Sequence, residues 1–292
     1  MKNPPPSGRS PPPDPPPTAA DARRTPPITT LETLEDTHFD VDDLRPVTDE
    51  DESRLDDLCL GLDLLICLGV QHATNPHTEL LSDSFYVVFD GSMTWADIPG
   101  MAQYAAIHVE RDLGEGTYRL DYSRHPIAAL AQNWLISRGA DQDQLPAEFE
   151  DPMDTDQATR DLEEALAASG DRFQILDDYT YDSSDFYKTW IIAVDNRPEP
   201  GQHPVRVFYE DTNMEGHSYT LRQGGFATVD AARSWVDRLG EPDNSLPPLT
   251  AAPSARAAGA AAQSSAAVML SAPSPAPAPV TAEGRPARPK HR

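Results

Sequence analysis

The chain is short of cysteine, of lysine and of long apolar runs, and each shortage narrows what it can be. It has 2 cysteines in 292 residues, at Cys59 and Cys67. Both fall in a stretch whose periodicity predicts a helix, and an eight-residue separation on a helix is about 12 Å. That is beyond the reach of a disulfide. A disulfide-stapled secreted fold is therefore not expected, and free thiols point to a reducing, cytoplasmic compartment. The longest apolar run, Leu58 to Val70, contains Asp63 and is too short to span a bilayer. The N-terminus is proline-rich rather than apolar, so no signal-peptide pattern is visible. Lysine occurs only at positions 2, 188 and 290. Arginine in its place, with abundant Ala, Pro and Asp, suggests a GC-rich, bacterial genome.

Motifs are absent as well. No Cys-x-x-Cys, His-Glu-x-x-His or His-x-x-x-His pair supports a zinc site. There is no Gly-x-Ser-x-Gly elbow and no phosphate-cradling glycine loop. Gly224-Gly225 precedes a helical pattern, but Ser123-Arg124 stands at the corresponding place earlier in the chain, so the pair reads as a local turn. No catalytic and no cofactor-binding residue is identified.

What the chain does have is proline at its ends and acid in its middle. Of 30 prolines, 12 lie in residues 1–46 and 10 in 241–292. Proline fixes φ and lacks a donor, so the first tract is expected to be extended or disordered. The Ala/Pro/Ser-rich tail has too few large apolar residues to offset ordering entropy, and it ends in Arg285, Arg288, Lys290, His291 and Arg292. Between them, residues 47–240 hold 37 Asp+Glu against 13 Lys+Arg. Nearly all of the formal charge of −25 therefore sits on the folded part. Such a surface repels nucleic acid and anionic membrane, and favours a basic protein or cations.

The middle also repeats itself. At a constant, ungapped offset of 101, Phe85-Tyr86 returns as Phe186-Tyr187, Pro99-Gly100 as Pro200-Gly201, Tyr118 as Tyr219, Ala131 and Trp134 as Ala232 and Trp235, and Gly139 as Gly240. Matches on aromatic, Gly and Pro positions point to a copied fold. The expected class is α+β: two tandem helix-strand-strand-strand-helix units with antiparallel sheets. The divisions are a disordered Pro-rich tail at 1–46, unit 1 at 47–147, unit 2 at 148–248, and a disordered Ala/Pro-rich tail at 249–292. A helix is predicted over 48–69 from Thr48 as cap and the spacing of Leu55, Leu58, Leu62 and Leu65. Residues 102–111, ambiguous alone, are assigned to a strand because 203–211 is one by composition. Unit 2 adds a strand at 172–178. A helix capped by Asp154 or Thr155 bridges the units.

This element order is similar to that of double-stranded-RNA-binding domains. The closing helices, however, offer only Arg138, Arg233 and Arg238, too little to meet phosphates. No direct nucleic-acid binding is expected. Asp177, Asp178, Asp182 and Asp185 crowd one loop, and Glu210, Asp211 and His217 end neighbouring strands. Hard oxygens at that density could hold Ca2+ or Mg2+, with Asp182, Asp185, Glu210, Asp211 and His217 as candidate ligands. The repeat preserves no His or nucleophile beside a base. The sequence therefore reads as a non-enzymatic binding or regulatory protein whose expected partner is a basic or DNA-binding protein. A divalent-metal-dependent hydrolase using unit 2 carboxylates is the alternative.

Overall fold

The computed structural model describes residues 38–59, 65–78, 80–90, 100–145, 147, 151–182 and 186–250. Residues up to Leu249 belong to one compact unit, and it is mixed α+β. Among the described residues the order is β1 (Arg45–Pro46), α1 (Asp49–Cys59), β2 (Leu65–Thr74), β3 (Leu81–Asp90), β4 (Tyr104–Asp112), β5 (Thr117–His125), α2 (Ala128–Ile136), α3 (Gln157–Ala167), β6 (Phe173–Asp182), β7 (Phe186–Asp195), β8 (Val205–Asn213), β9 (Ser218–Phe226) and α4 (Val229–Val236). The strands form two sheets, ordered β1-β5-β4-β3-β2 and β6-β7-β8-β9. All pairs are antiparallel except β1 with β5.

The assignment of 102–111 to a strand agrees with β4. The helix over 48–69 does not survive, because the helix ends at Cys59 and Leu65–Thr74 is strand. A short apolar run does not distinguish helix from buried strand by periodicity. The strand is specified by a bulge: pairing to β3 shifts between Cys67 and Gly69. Leu65 and Cys67 consequently face one core cluster while Leu68 faces another. Cys59 and Cys67 are free, one exposed on the helix and one buried in the strand. The same strand continues past the predicted helix through Gln71 as far as Thr74. The first half thus has four long strands beside the two-residue β1, one more than expected, the second half has four with the added strand, and the order shared with RNA-binding domains is lost.

The fold also begins before residue 47. Phe39 and Val41 are 0% and 4% exposed, inside the core beneath the first sheet. Phe39 has φ 54, an unusual conformation for a bulky residue. Its ring sits edge-on to Tyr86, centroids 5.4 Å apart. The buried Arg111 guanidinium donates to the carbonyls of Phe39 and Asp40 and to Ser84 Oγ. Two apolar anchors in a polar stretch are a weak sequence signal, and the guanidinium that holds them lies about seventy residues away. The disorder expected for 1–37 and 251–292 falls outside the described residues.

The halves correspond, but not at one offset. From β4 onward the offset of 101 holds, as in Tyr104–Asp112 and Val205–Asn213. For β3 and β7 it is 105: Ser84 pairs with Val109, as Thr189 pairs with Glu210. For α1 and β2 it is 108, as in Asp49–Cys59 and Gln157–Ala167. The bulge recurs at that offset, with pairing shifted between Ile175 and Asp177. The ungapped alignment of Phe85-Tyr86 with Phe186-Tyr187 is therefore displaced by four residues. The reason is the longer β3–β4 connection, thirteen residues (91–103) against nine (196–204).

Both faces of each sheet are covered. Phe39, Val41 and α1 cover one face of the first sheet, and Ala131 and Leu135 of α2 cover the other. In the second sheet α4 buries Ala232 and Trp235 on one face. The opposite face shares a cluster with Leu162 and Leu166 of α3 and Ile127, Ala129 and Leu130 of α2. The layers run α1, sheet, α2 with α3, sheet, α4.

Candidate functional site

The described metal candidates, Glu210, Asp211 and His217, do not converge. Glu210 and Asp211 are neighbours on β8, so they point to opposite faces. Glu210 is 9% exposed and packs toward the α2–α3 layer. Burial, then the charge of Glu163, pushes its carboxyl up to about 8. Asp211 accepts from Tyr209 Oη at 3.4 Å and lies 3.5 Å from Lys188 Nζ. His217 is exposed in a turn, its Nε2 3.5 Å from Asp151. The Asp182 side chain and all of Asp185 lie outside the described residues. Among the described residues no group of three His, Cys, Asp or Glu side chains could hold a metal ion. Gly224-Gly225 are strand, not turn: a Cβ there would meet Leu246 or Leu249 within 2.9 Å. Their bareness lets the segment after α4 lie on β9.

One polar site does recur. Asp90 and Asp195 end β3 and β7 at equivalent positions, 3% and 2% exposed. Each backbone N–H donates across the hairpin, to Gln103 O at 2.7 Å and Pro204 O at 2.8 Å. Their cations differ. Asp90 faces Arg124 of β5, 2.8 Å away. The counterpart of Arg124 is Gly225, so Asp195 draws on two other arginines. Arg172 donates to both its oxygens at 2.9 and 2.8 Å, and Arg206 donates to Oδ2 at 3.3 and 3.0 Å. Burial opposes the charge on Asp195, but the bonds from Arg172, Arg206 and the Arg197 N–H prevail and bring its carboxyl down to about 2. An ungapped comparison hides this pair. A four-residue gap in the β3–β4 connection would have aligned Asp90-Gly91 with Asp195-Asn196.

The basic side chains are paired within the chain, some of them on its surface. Of the 13 Lys and Arg in 47–240, ten form ion pairs: Arg54 with Glu50, for instance, Arg138 with Asp121 and Arg222 with Asp156. Arg111, Arg160 and Arg238 instead donate to backbone carbonyls. The excess acid stays outside. On and just before α1, Asp42, Asp43, Asp49, Glu50, Glu52, Asp56 and Asp57 are all exposed. Their field is felt locally: burial and then Asp56 and Asp42 raise the Cys59 thiol above its ordinary range. Asp51, in their midst, is structural. It accepts from Thr48 N–H and Oγ1 at 2.8 and 2.6 Å and from the Leu120 N–H of β5 at 3.0 Å.

No helix among the described residues is long and apolar enough to cross a membrane. Comparison with known protein families, curated proteins and solved structures finds no match.

Proposed function

We propose that the protein is a binding or regulatory protein that meets a basic protein through the acidic surface centred on α1. The observation that carries this reading is the internal neutralisation of its arginines. Among the described residues the exposed carboxylates on α1 have one ion-pair cation, Arg54, which lies between Glu50 and Asp121 at 2.7 and 3.5 Å, and the exposed Arg45 before the helix donates to the Glu115 carbonyl. A surface of one sign steers an oppositely charged partner and raises the association rate. One form of the reading is mimicry of nucleic-acid charge toward a DNA-binding protein.

The test is direct. Binding of an arginine-rich peptide is measured by fluorescence anisotropy across salt from about 0.02 to 0.5 M, where screening shortens from about 20 Å to a few ångströms. Affinity is expected to fall steeply with salt. A variant with Asp49, Glu52, Asp56 and Asp57 changed to Asn or Gln should lose most of the low-salt binding and keep its fold. Equal binding by that variant would remove α1 from the interface. The second reading, a metal-dependent hydrolase, gains nothing from the geometry, since Glu210 and Asp211 lie on opposite faces.

A further inference from the structure

The outer face of the second sheet carries a row of aromatic side chains beyond the end of α4. Strand register sets Tyr179, Trp190 and Tyr209 side by side across β6, β7 and β8. Directly paired residues share a face, and this is the face on which Ile192 and Val207 pack under α4. The helix has 8 residues, about 12 Å, while the strands beneath it run for about 30 Å. It touches the row through Trp235, edge-on to Tyr209 with centroids 5.9 Å apart. The three rings are half-buried, and Tyr181, next along β6 on the same face, is 47% exposed. Tyr179 stacks on Trp190 at 6.2 Å and lies 4.6 Å from Tyr181.

The first half has no such band. Its equivalent row is Gln71, Phe85 and His108, and that row is closed. Phe85 is 2% exposed, with His108 stacked on it at 4.6 Å. Gln71 Oε1 accepts from the Asp141 N–H, in the segment after α2, at 2.9 Å. At the same place after α4 stands Pro242, which has no N–H to give. The second half has thus replaced a clamped glutamine by a tyrosine and dropped the clamp.

Such a row suits a proline-rich ligand. Polyproline II segments dock on aromatic side chains and arrive already extended, so little ordering is needed. Their repeat is three residues and about 9 Å, and Tyr179 and Tyr209, two strands apart, are separated by about 10 Å. The chain carries such a segment outside the described residues. Residues 9–17 place Arg9, Pro12 and Pro15 at three-residue intervals. Residues 1–24 hold 4 Lys and Arg against 2 Asp, opposite in sign to the folded part. The 21 residues from Pro17 to His38 can span about 70 Å, more than the roughly 45 Å width of a fold of this size. We infer that the band binds a polyproline II segment and that its occupant is the chain's own Arg9–Pro17 tract, folded back in cis.

The probe is a synthetic peptide of residues 7–18, titrated calorimetrically into the full chain and into its Pro12→Ala/Pro15→Ala variant. The variant should bind with a dissociation constant of about 0.1–1 mM. A flexible tether supplies an effective concentration of about 1 mM, so the wild-type chain, its band already filled, should bind about two- to tenfold more weakly. A peptide with the same two changes should not bind. Tyr179→Ser and, where it folds, Trp190→Leu, each added to the double-proline variant, should weaken binding at least about fivefold. Neutralising Asp49, Glu52, Asp56 and Asp57 in that variant should leave binding within about twofold, which separates this surface from α1. No binding up to about 5 mM peptide, equal binding by wild type and variant, or binding unchanged in Tyr179→Ser overturns the inference. A wild-type chain that sediments as a dimer, and as a monomer once the prolines are changed, overturns docking in cis in favour of exchange between copies. The inference does not use the acidic face, so either reading can fail without the other.

Discussion

Glu210→Gln is expected to remove a loss of stability that otherwise grows between pH 5 and 8. The buried Glu210 carboxyl sits at about 8 in the fold against an ordinary 4.5. Between those values the folded chain keeps a proton that the unfolded chain has released. Raising the pH therefore favours unfolding: the contribution is fully present below about 4.5 and gone above about 8. The shift corresponds to about 5 kcal/mol in all, and about 4 kcal/mol of it falls between pH 5 and 8. The neighbours do not compensate in that window. Burial and then Glu210's own charge hold the Tyr104 phenol well above its usual range, and Glu163 accepts from Tyr219 Oη at 2.7 Å. His125 has the opposite sign. Burial and then Arg138 bring it down to about 4, so it costs stability as pH falls from 6.5. Its effect is the same in both proteins and cancels in their difference. The assay is urea unfolding followed by tryptophan fluorescence at each pH unit from 5 to 8. Wild type should lose about 4 kcal/mol relative to Glu210→Gln between pH 5 and 8, while Glu210→Gln itself gains stability from pH 5 toward 6.5 as His125 ceases to take up a proton in the unfolded chain. Two curves parallel to within about 1 kcal/mol would show that the carboxyl ionises freely and would refute the reasoning.

Gly100 and Gly201 both have φ 84, but a Cβ on Gly100 would lie 2.2 Å from the Tyr179 ring and one on Gly201 would meet nothing. Gly201→Ala should cost about 1–2 kcal/mol from backbone strain alone, and Gly100→Ala about 2 kcal/mol more; equal costs in chemical denaturation would mean the Tyr179 contact is not formed. Asp51→Ala removes the carboxylate that reaches back to the Thr48 cap of α1 and orphans the Leu120 N–H, for about 2–4 kcal/mol. The exposed neighbour change Asp49→Ala should cost under about 0.5 kcal/mol by the same measurement. Trp235→Ala should cost about 3–5 kcal/mol, since the ring is 4% exposed and its Nε1 donates to Ser245 O at 3.1 Å. Trp134→Ala should cost less, because that ring is only half buried with Arg138 stacked 3.2 Å above it; the reverse order in thermal unfolding would contradict the packing.

Closing helices, hairpins and caps were legible in the sequence because local chemistry dictates them. Gly139 and Gly240 end their helices at φ 107 and 95, and Thr228 accepts from the Ala231 N–H as expected of a cap. For α3 the local signal was shared among adjacent residues: Asp156 is the cap, accepting from Thr159 N–H at 2.9 Å, not Asp154 or Thr155. The β2 strand was illegible because its bulge buries residues on both faces, which imitates the buried stripe of a helix. The Asp90/Asp195 correspondence was illegible for a different reason. Its partners come from other strands, and the alignment that reveals it needs a gap in a loop. Glu210 and Asp211, adjacent in sequence, are sent to opposite faces because a strand alternates its side chains.

The two halves differ most where they meet and where they end, and the differences are energetic choices. Ile127 is the N-cap of α2 yet has no capping side chain; it is 2% exposed in the shared cluster. Forgoing a cap costs about 1 kcal/mol, while burying an isoleucine returns about 1.5–3 kcal/mol, so packing wins there. At the equivalent position of α4 there is no further layer to pack against, and Thr228 caps the helix. Likewise Ala129 and Leu130 of α2 are buried, while their counterparts Asp230 and Ala231 are exposed. α1, at the other end of the stack, shows carboxylates to solvent. An array of layers needs polar ends to stop it from adding copies of itself. One acidic helix face therefore serves two ends at once: it terminates the stack, and it presents the exposed carboxylates on which the proposed binding surface rests.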